Sequence, residues 1–366
     1  MSDVLVVGCG LIGASVGMAL RDAGRDVCVH DELPSVVGEA VRRGAGRAWD
    51  GVESAQIALI AVPPRVTASA LIAAQSRNVA RTYTHVASVQ SQVQREVEAL
   101  SSDPSVVVGG HPLAGRELSG PGAATADLFA GRPWALCAGE TTSVQARNDV
   151  AALISDCGAD AVVLSAAAHD ASVALLSHLP QLTASALAAG LVGAGAGQAS
   201  LQLAGPGLVD TTRLAASDAE LWTQIVELNA AEIAPFMTAL AGRLTATAAA
   251  LTALGGTPTP PEAARAVAEL RDLLRDGNAG RALVPVKRGA ASDAFAPLRV
   301  SVPDQPGRLA ALLGDAGAAG VNVEDVHVEH IPGRPTGVIE LLVRHEDLDR
   351  LAGVLEPRGW SVLGRD

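Results

Sequence analysis

The stretch Val4-Leu5-Val6-Val7-Gly8-Cys9-Gly10-Leu11-Ile12-Gly13 decides the reading of this chain. Apolar residues of β type run directly into G-x-G-x-x-G, and helical spacing follows as far as a stop at Gly24. Strand, glycine loop and helix together form the context in which this motif binds a dinucleotide. Gly8 permits the tight turn, Gly10 lets the backbone approach a pyrophosphate, and Gly13 lets helix and strand pack closely. Leu11 and Ile12 open the helix, whose free N–H groups point at the anion. Asp31 lies 23 residues after Gly8, where a carboxylate accepts hydrogen bonds from the adenosine ribose. That favours NAD over NADP, whose extra phosphate a carboxylate repels. Val62 and Pro63, after a later strand, mark a second cofactor-side loop.

Outward from this motif, β-type runs at residues 4–7, 27–30, 57–62, 85–89 and 106–109 alternate with helical patterns. The alternation predicts an α/β Rossmann-type doubly wound parallel sheet over residues 1–164. The texture then turns to long Ala/Leu-rich helical stretches, interrupted by Pro180 and by Gly205-Pro206-Gly207. This predicts an all-α substrate and dimerisation domain over residues 165–279, with one more helix at 262–276. Residues 280–296 read as a linker. Residues 297–366 read strand, helix, strand, strand, helix, strand, a small ferredoxin-like βαββαβ module.

Composition narrows the function. Net charge is −12, which opposes nucleic acid and anionic membrane surfaces, so no nucleic-acid or membrane partner is expected. No basic segment precedes the first strand, and no uninterrupted apolar run has the length of a bilayer span, so the expectation is a soluble cytoplasmic protein. Cys9, Cys28, Cys137 and Cys157 lack C-x-x-C spacing and read as reduced and structural, with no metal site. The hydrophobic fraction is 49% but aromatics are only 2%, so packing relies on Ala, Val and Leu. The apolar helical region is predicted to pair in a homodimer.

The segment Gly109-Gly110-His111-Pro112-Leu113-Ala114-Gly115 places a histidine at a strand's carboxyl end, beside small residues that leave room for a substrate. Such a histidine accepts a proton near neutral pH. Ser88 falls at another strand end, where its hydroxyl can orient His111 or a substrate hydroxyl, or simply form a turn. His169-Asp170 and Ser177-His178-Leu179-Pro180-Gln181 fall on the first long helix of the second domain. His169 and Asp170, being adjacent, are not expected to share a face, and His178 lies two and a half turns beyond His169. Arg213 offers a planar fork for a carboxylate. Trp222 is expected to pack on the helical core, and Ser217 or Asp218 to cap its helix.

The glycine fingerprint, the Gly-Gly-His-Pro-Leu-Ala-Gly run, the Ser-His-Leu-Pro run and Thr-Arg followed by Asp and Trp resemble the prephenate/arogenate dehydrogenase family of tyrosine biosynthesis. The resemblance implies NAD-dependent oxidative decarboxylation of prephenate to 4-hydroxyphenylpyruvate, or of arogenate to tyrosine. It assigns His111 to the ring hydroxyl, Ser88 to its support and Arg213 to a substrate carboxylate, with His178 at the substrate. His169 and Asp170 become a polar pair near the site entrance. Gln181, Gln90 and Arg116 depart from the commoner residues, which bears on recognition of the substrate's side chain. A β-hydroxyacid dehydrogenase is the rival reading, but those enzymes lean on a lysine, and the single one here, Lys287, lies in the linker. The C-terminal module resembles an ACT regulatory domain, with Asp304, Pro306 and Gly307 at its first turn and Asn322 entering the next strand. This implies an aromatic amino-acid effector, tyrosine.

Overall fold

The computed structural model describes the chain apart from residues 116–117, 194, 196, 285–293, 331–334 and 365–366. Arg116 and Lys287 therefore lie outside the described residues, as does most of the segment read as a linker. The chain divides into two compact units, Met1–Leu240 and Ala241–Asp366.

The first unit is built on eight strands: β1 (Ser2–Val7), β2 (Val27–His30), β3 (Arg47–Ala48), β4 (Ala55–Ile60), β5 (Ala80–His85), β6 (Val107–Pro112), β7 (Pro133–Ala138) and β8 (Asp160–Leu164). Their order in the sheet is β3-β2-β1-β4-β5-β6-β7-β8. Every pair is parallel except β6 with β7, so the expected parallel sheet carries one antiparallel step. In β1, Val4 and Val6 join one core while Leu5 joins the core on the opposite face. Burial on both faces is why this strand reads as an unbroken apolar run.

The strand order reverses between β1 and β4, which places the ends of both at one crevice. Gly8 follows β1 with φ +95°, and an added Cβ would meet the Ala61 carbonyl at 2.4 Å. Gly13 is tighter still, its Cβ meeting the Gly8 carbonyl oxygen at 1.9 Å. Gly10 has nothing within 4 Å of that position, so the space beside it is open.

The segment 85–89 was expected to be a strand, but the strand is Ala80–His85. Its sequence ARTYTH hides the signal, because Thr82, Thr84 and His85 are polar yet buried. Ser88 accordingly sits in the loop after β5, ahead of the Ser91–Leu100 helix.

In the helical half, Pro180 does not end the helix. A π-turn at Ala174–His178 joins Ala166–Val173 to Leu179–Gly193. Proline lacks an N–H and crowds the preceding turn, and a widened turn accommodates it. Among the described residues two helical segments, Ala166–Gly193 and Ala230–Gly255, reach the length and mean hydropathy of a bilayer span, although polar residues interrupt both. Leucine and alanine together give them that hydropathy. The buried side of the first carries His169, Asp170, His178 and Gln181.

In the second unit the Pro260–Leu283 helix runs past Gly277 and Gly280, further than composition suggested, and starts with a Thr259/Glu262 capping box. Beyond residue 293 come β9 (Phe295–Pro303), a helix Arg308–Ala318, β10 (Val323–His330), β11 (Thr336–Arg344), a helix Leu348–Leu355 and β12 (Ser361–Gly364). They form an antiparallel sheet in the order β10-β11-β9-β12, with a core of Leu298, Val300, Leu312, Leu341, Leu351 and Trp360. Gly307 caps the first helix in the left-handed region, φ +84°. Asp304 donates its backbone N–H to the Pro335 carbonyl, and Asn322 bonds the Glu324 carboxylate at 2.7 Å.

Candidate active site

The cofactor end is held by Asp31. One carboxylate oxygen accepts the backbone N–H of Cys9 at 2.8 Å, and the other that of Leu33 at 3.1 Å. Asp31 thus braces the glycine loop from the end of β2, and each oxygen keeps a second lone pair for a ribose hydroxyl. After β4, the Thr67 hydroxyl bonds the Pro63 carbonyl at 3.2 Å, and Arg65 pairs with Glu227 of the helical half. Open space at Gly10, a helix N-terminus and a carboxylate at the second strand end suit the pyrophosphate and ribose of a dinucleotide.

On the same carboxyl edge of the sheet, two strands beyond β4, His111 lies in β6 with its ring half-buried, and its Nδ1 is 2.9 Å from Nε2 of His169. His169 Nδ1 is in turn 2.8 Å from Oδ1 of Asp170. Both residues are only 1% exposed, so the pair expected at the site entrance stands behind His111 instead. Adjacent helical residues do not share a face, yet here the ring bends back onto its neighbour's carboxylate. Asp170 also accepts the backbone N–H groups of Gln90 at 2.8 Å and Ser91 at 2.7 Å, the start of the Ser91–Leu100 helix. Burial raises the Asp170 pKa, but the hydrogen bonds from His169, Gln90 and Ser91 outweigh it, and the net direction is down.

His85, His111 and His178 move the same way. Burial, followed by the neighbouring His169 and His178, pushes His111 down to about 3. Burial lowers His85 and His178 to about 4 each. Among His85, His111, His169 and His178, only His111 keeps appreciable exposure, and it is the ring a substrate can reach.

His178 was placed at the substrate by resemblance, but it is 1% exposed, with Asn229 Nδ2 3.1 Å from its Nδ1 and Trp222 edge-on to its ring. Nine residues of regular helix would set His178 on the far side from His169. The π-turn between them adds a residue and returns both to the buried side. Trp222 therefore packs on His178, and Asp218 caps its helix by accepting Leu221 N–H at 2.8 Å. Gln181 is buried too. Its amide nitrogen bonds the Leu214 carbonyl at 2.9 Å and its oxygen faces the Ser217 hydroxyl, so it braces the short Arg213–Ala216 turn. Arg213 itself is exposed at the start of that turn.

Ser88 is half-buried beyond β5, and no hydrogen bond joins it to His111 among the described residues. The small residues beside His111 also do something other than expected. A Cβ on Gly109 would meet the Gln90 side chain at 2.3 Å, and one on Gly110 the His85 carbonyl at 2.8 Å. The room they leave is filled by protein. Gln90, 1% exposed, donates to the Ala87 and Gly110 carbonyls at 2.6 and 3.0 Å and so locks the Ser88 loop to β6. Asn229, which sequence reasoning missed, donates to the Asp170 carbonyl at 2.9 Å as well as facing His178. Its only sequence signal is its place between two helical patterns. Among the described residues no group of His, Cys, Asp or Glu could hold a metal ion, and the four cysteines are free and buried.

Comparison with known proteins agrees with this layout. Residues 16–163 match the family model for the nucleotide-binding domain of prephenate dehydrogenase, and residues 165–253 the model for its dimerization domain. A probable prephenate dehydrogenase, NovF, from Streptomyces niveus is 36% identical over 367 residues, covering 99% of each chain. The prephenate dehydrogenase of Lactococcus lactis subsp. cremoris is 26% identical, covering 97% of this chain and 98% of that one. Among solved structures, the arogenate dehydrogenase of Synechocystis superposes with a TM-score of 0.62 at 27% identity, over 76% of this chain and 98% of that one. The prephenate dehydrogenase of A. aeolicus, solved with hydroxyphenyl propionate and NAD+, has the same fold, with a TM-score of 0.65 at 24% identity over 77% and 97%.

Proposed function

Because this chain belongs to the prephenate dehydrogenase family, we propose that it oxidatively decarboxylates prephenate to 4-hydroxyphenylpyruvate with NAD, in tyrosine biosynthesis. The observation that carries the reading is His111, the one reachable ring of a buried histidine cluster, at the carboxyl edge of the same sheet whose β1/β4 crevice suits a dinucleotide. The substrate is a non-aromatic ring with a hydroxyl at one carbon and a carboxylate opposite. His111 takes the hydroxyl proton, and Ser88 orients that hydroxyl from the neighbouring loop. NAD, when bound, supplies the hydride acceptor. Arg213 holds a substrate carboxylate, with Gln181 fixing the turn that presents it. Loss of carbon dioxide then restores aromaticity, so the protein need not drive that step itself.

A second reading, arogenate as substrate, is favoured by the likeness to the Synechocystis arogenate dehydrogenase. Presenting each substrate with NAD and with NADP separates them. The prephenate and NAD pairing is expected to have the highest specificity constant; a higher value for arogenate would reassign the substrate.

The C-terminal βαββαβ unit acts as a ferredoxin-like, ACT-type regulatory domain. Tyrosine binds near the turn of Asp304, Pro306 and Gly307 and the strand entered at Asn322. Support comes from its element order and the left-handed Gly307. The chain works as a homodimer paired through its helical region, whose Leu176, Val192, Leu244 and Leu251 are exposed. Deleting everything after about Gly289 is expected to remove inhibition by tyrosine while sparing turnover. Equal inhibition of the shortened chain would refute the regulatory role.

A further inference from the structure

We infer that Asp170 and His169 hold His111 in the single tautomer that leaves its Nε2 lone pair facing the substrate, which makes both of them positioning residues for the proton acceptor. The inference rests on the reading of His111 given above. It begins at the carboxylate, which when ionised can only accept hydrogen bonds. Asp170 takes Gln90 N–H, Ser91 N–H and the ring of His169, so the proton of that last contact sits on His169 Nδ1. An imidazole carrying its one proton on Nδ1 has its lone pair on Nε2, and the 2.9 Å contact there requires the proton of His111 to be on Nδ1. The free lone pair of His111 is thereby on Nε2.

Asp170 cannot turn away to release this order. Asn229 donates to its backbone carbonyl at 2.9 Å, and two backbone N–H groups hold its carboxylate. In the reaction the substrate O–H bond breaks, its proton forms a bond with Nε2 of His111, and the oxygen keeps the electron pair that becomes the ketone as hydride leaves for NAD. The imidazolium so formed points its Nδ1–H along a chain that ends in a buried carboxylate. A relay aligned beforehand stabilises that charge without reorganisation.

The test reads tautomers directly. In full-length protein labelled with 15N-histidine, long-range 15N–1H correlation is expected to show His111 and His169 each protonated at Nδ1 and bare at Nε2. Protonation of His111 at Nε2, or averaging over both nitrogens, would overturn the inference without any variant. His169→Gln keeps an acceptor where Nε2 stands, whereas His169→Leu removes it. The glutamine variant is expected to retain kcat within about tenfold, and the leucine variant to lose about a hundredfold with little change in KM for prephenate. Equal losses in both, with the His111 signals unchanged, would make His169 merely structural. Absence of turnover in the wild type would sink the proposed function while leaving the tautomer result standing.

Discussion

His111 and His169 stand 58 residues apart in sequence, yet Nδ1 of one lies 2.9 Å from Nε2 of the other. The contact joins a strand of the nucleotide-binding half to a helix of the substrate half. Only one of the two rings is reachable, and in the proposed function that ring meets substrate while the buried one orients it.

His111→Ala is therefore expected to lose turnover by roughly a hundred- to ten-thousandfold, the usual worth of a positioned base. NAD affinity, measured by calorimetry, should hold, since the glycine loop and Asp31 are untouched. Unchanged turnover would remove His111 from the reaction.

The lowered histidines make stability depend on pH. His85, His111 and His178 fall from 6.5 to about 4, 3 and 4 in the folded chain, so between those values the unfolded chain binds more protons. Their contribution is complete above about 6.5 and drains away as pH falls towards 4. Asp170, shifted downwards, contributes above the ordinary carboxylate value of 3.8 and so stays silent in this window. The urea midpoint should drop between pH 7.5 and pH 5; a flat or rising midpoint would contradict the burial of these rings in neutral form.

Two glycines of one motif should fail differently. Gly13→Ala drives a Cβ to 1.9 Å from the Gly8 carbonyl and should lower the melting temperature sharply. Gly10→Ala meets nothing within 4 Å, so its melting temperature should stay near wild type while NAD binding weakens by about tenfold or more. Equal destabilisation of the two would argue against a cofactor lying over Gly10.

Arg213→Ala should raise KM for prephenate steeply, because losing a charge-assisted contact to a carboxylate costs roughly 2 to 5 kcal/mol when the partner is left unpaired. With kcat changed far less, the guanidinium is a clamp. An unaltered KM would take Arg213 out of the substrate site.

How much of this was legible beforehand depended on where the signal was local. Gly8, Gly10, Gly13 and Asp31 form a short motif with a mechanism, and His111 stands at a strand end within one short run, so the positions of both were readable, although Gly109 and Gly110 make room for protein rather than substrate. Ala80–His85 was misplaced because buried Thr82, Thr84 and His85 look like surface residues in isolation. The burial of His178 depends on a π-turn that no periodic pattern announces. Asn229 and Gln90 matter through partners 59 and 20 residues away, and such long-range pairing has no local trace.

The most direct test follows prephenate and NAD with the full-length chain, measuring reduced nicotinamide and 4-hydroxyphenylpyruvate together. Equimolar formation of the two is the predicted result. Prephenate left unconsumed, or consumed without reduced nicotinamide, would contradict the account.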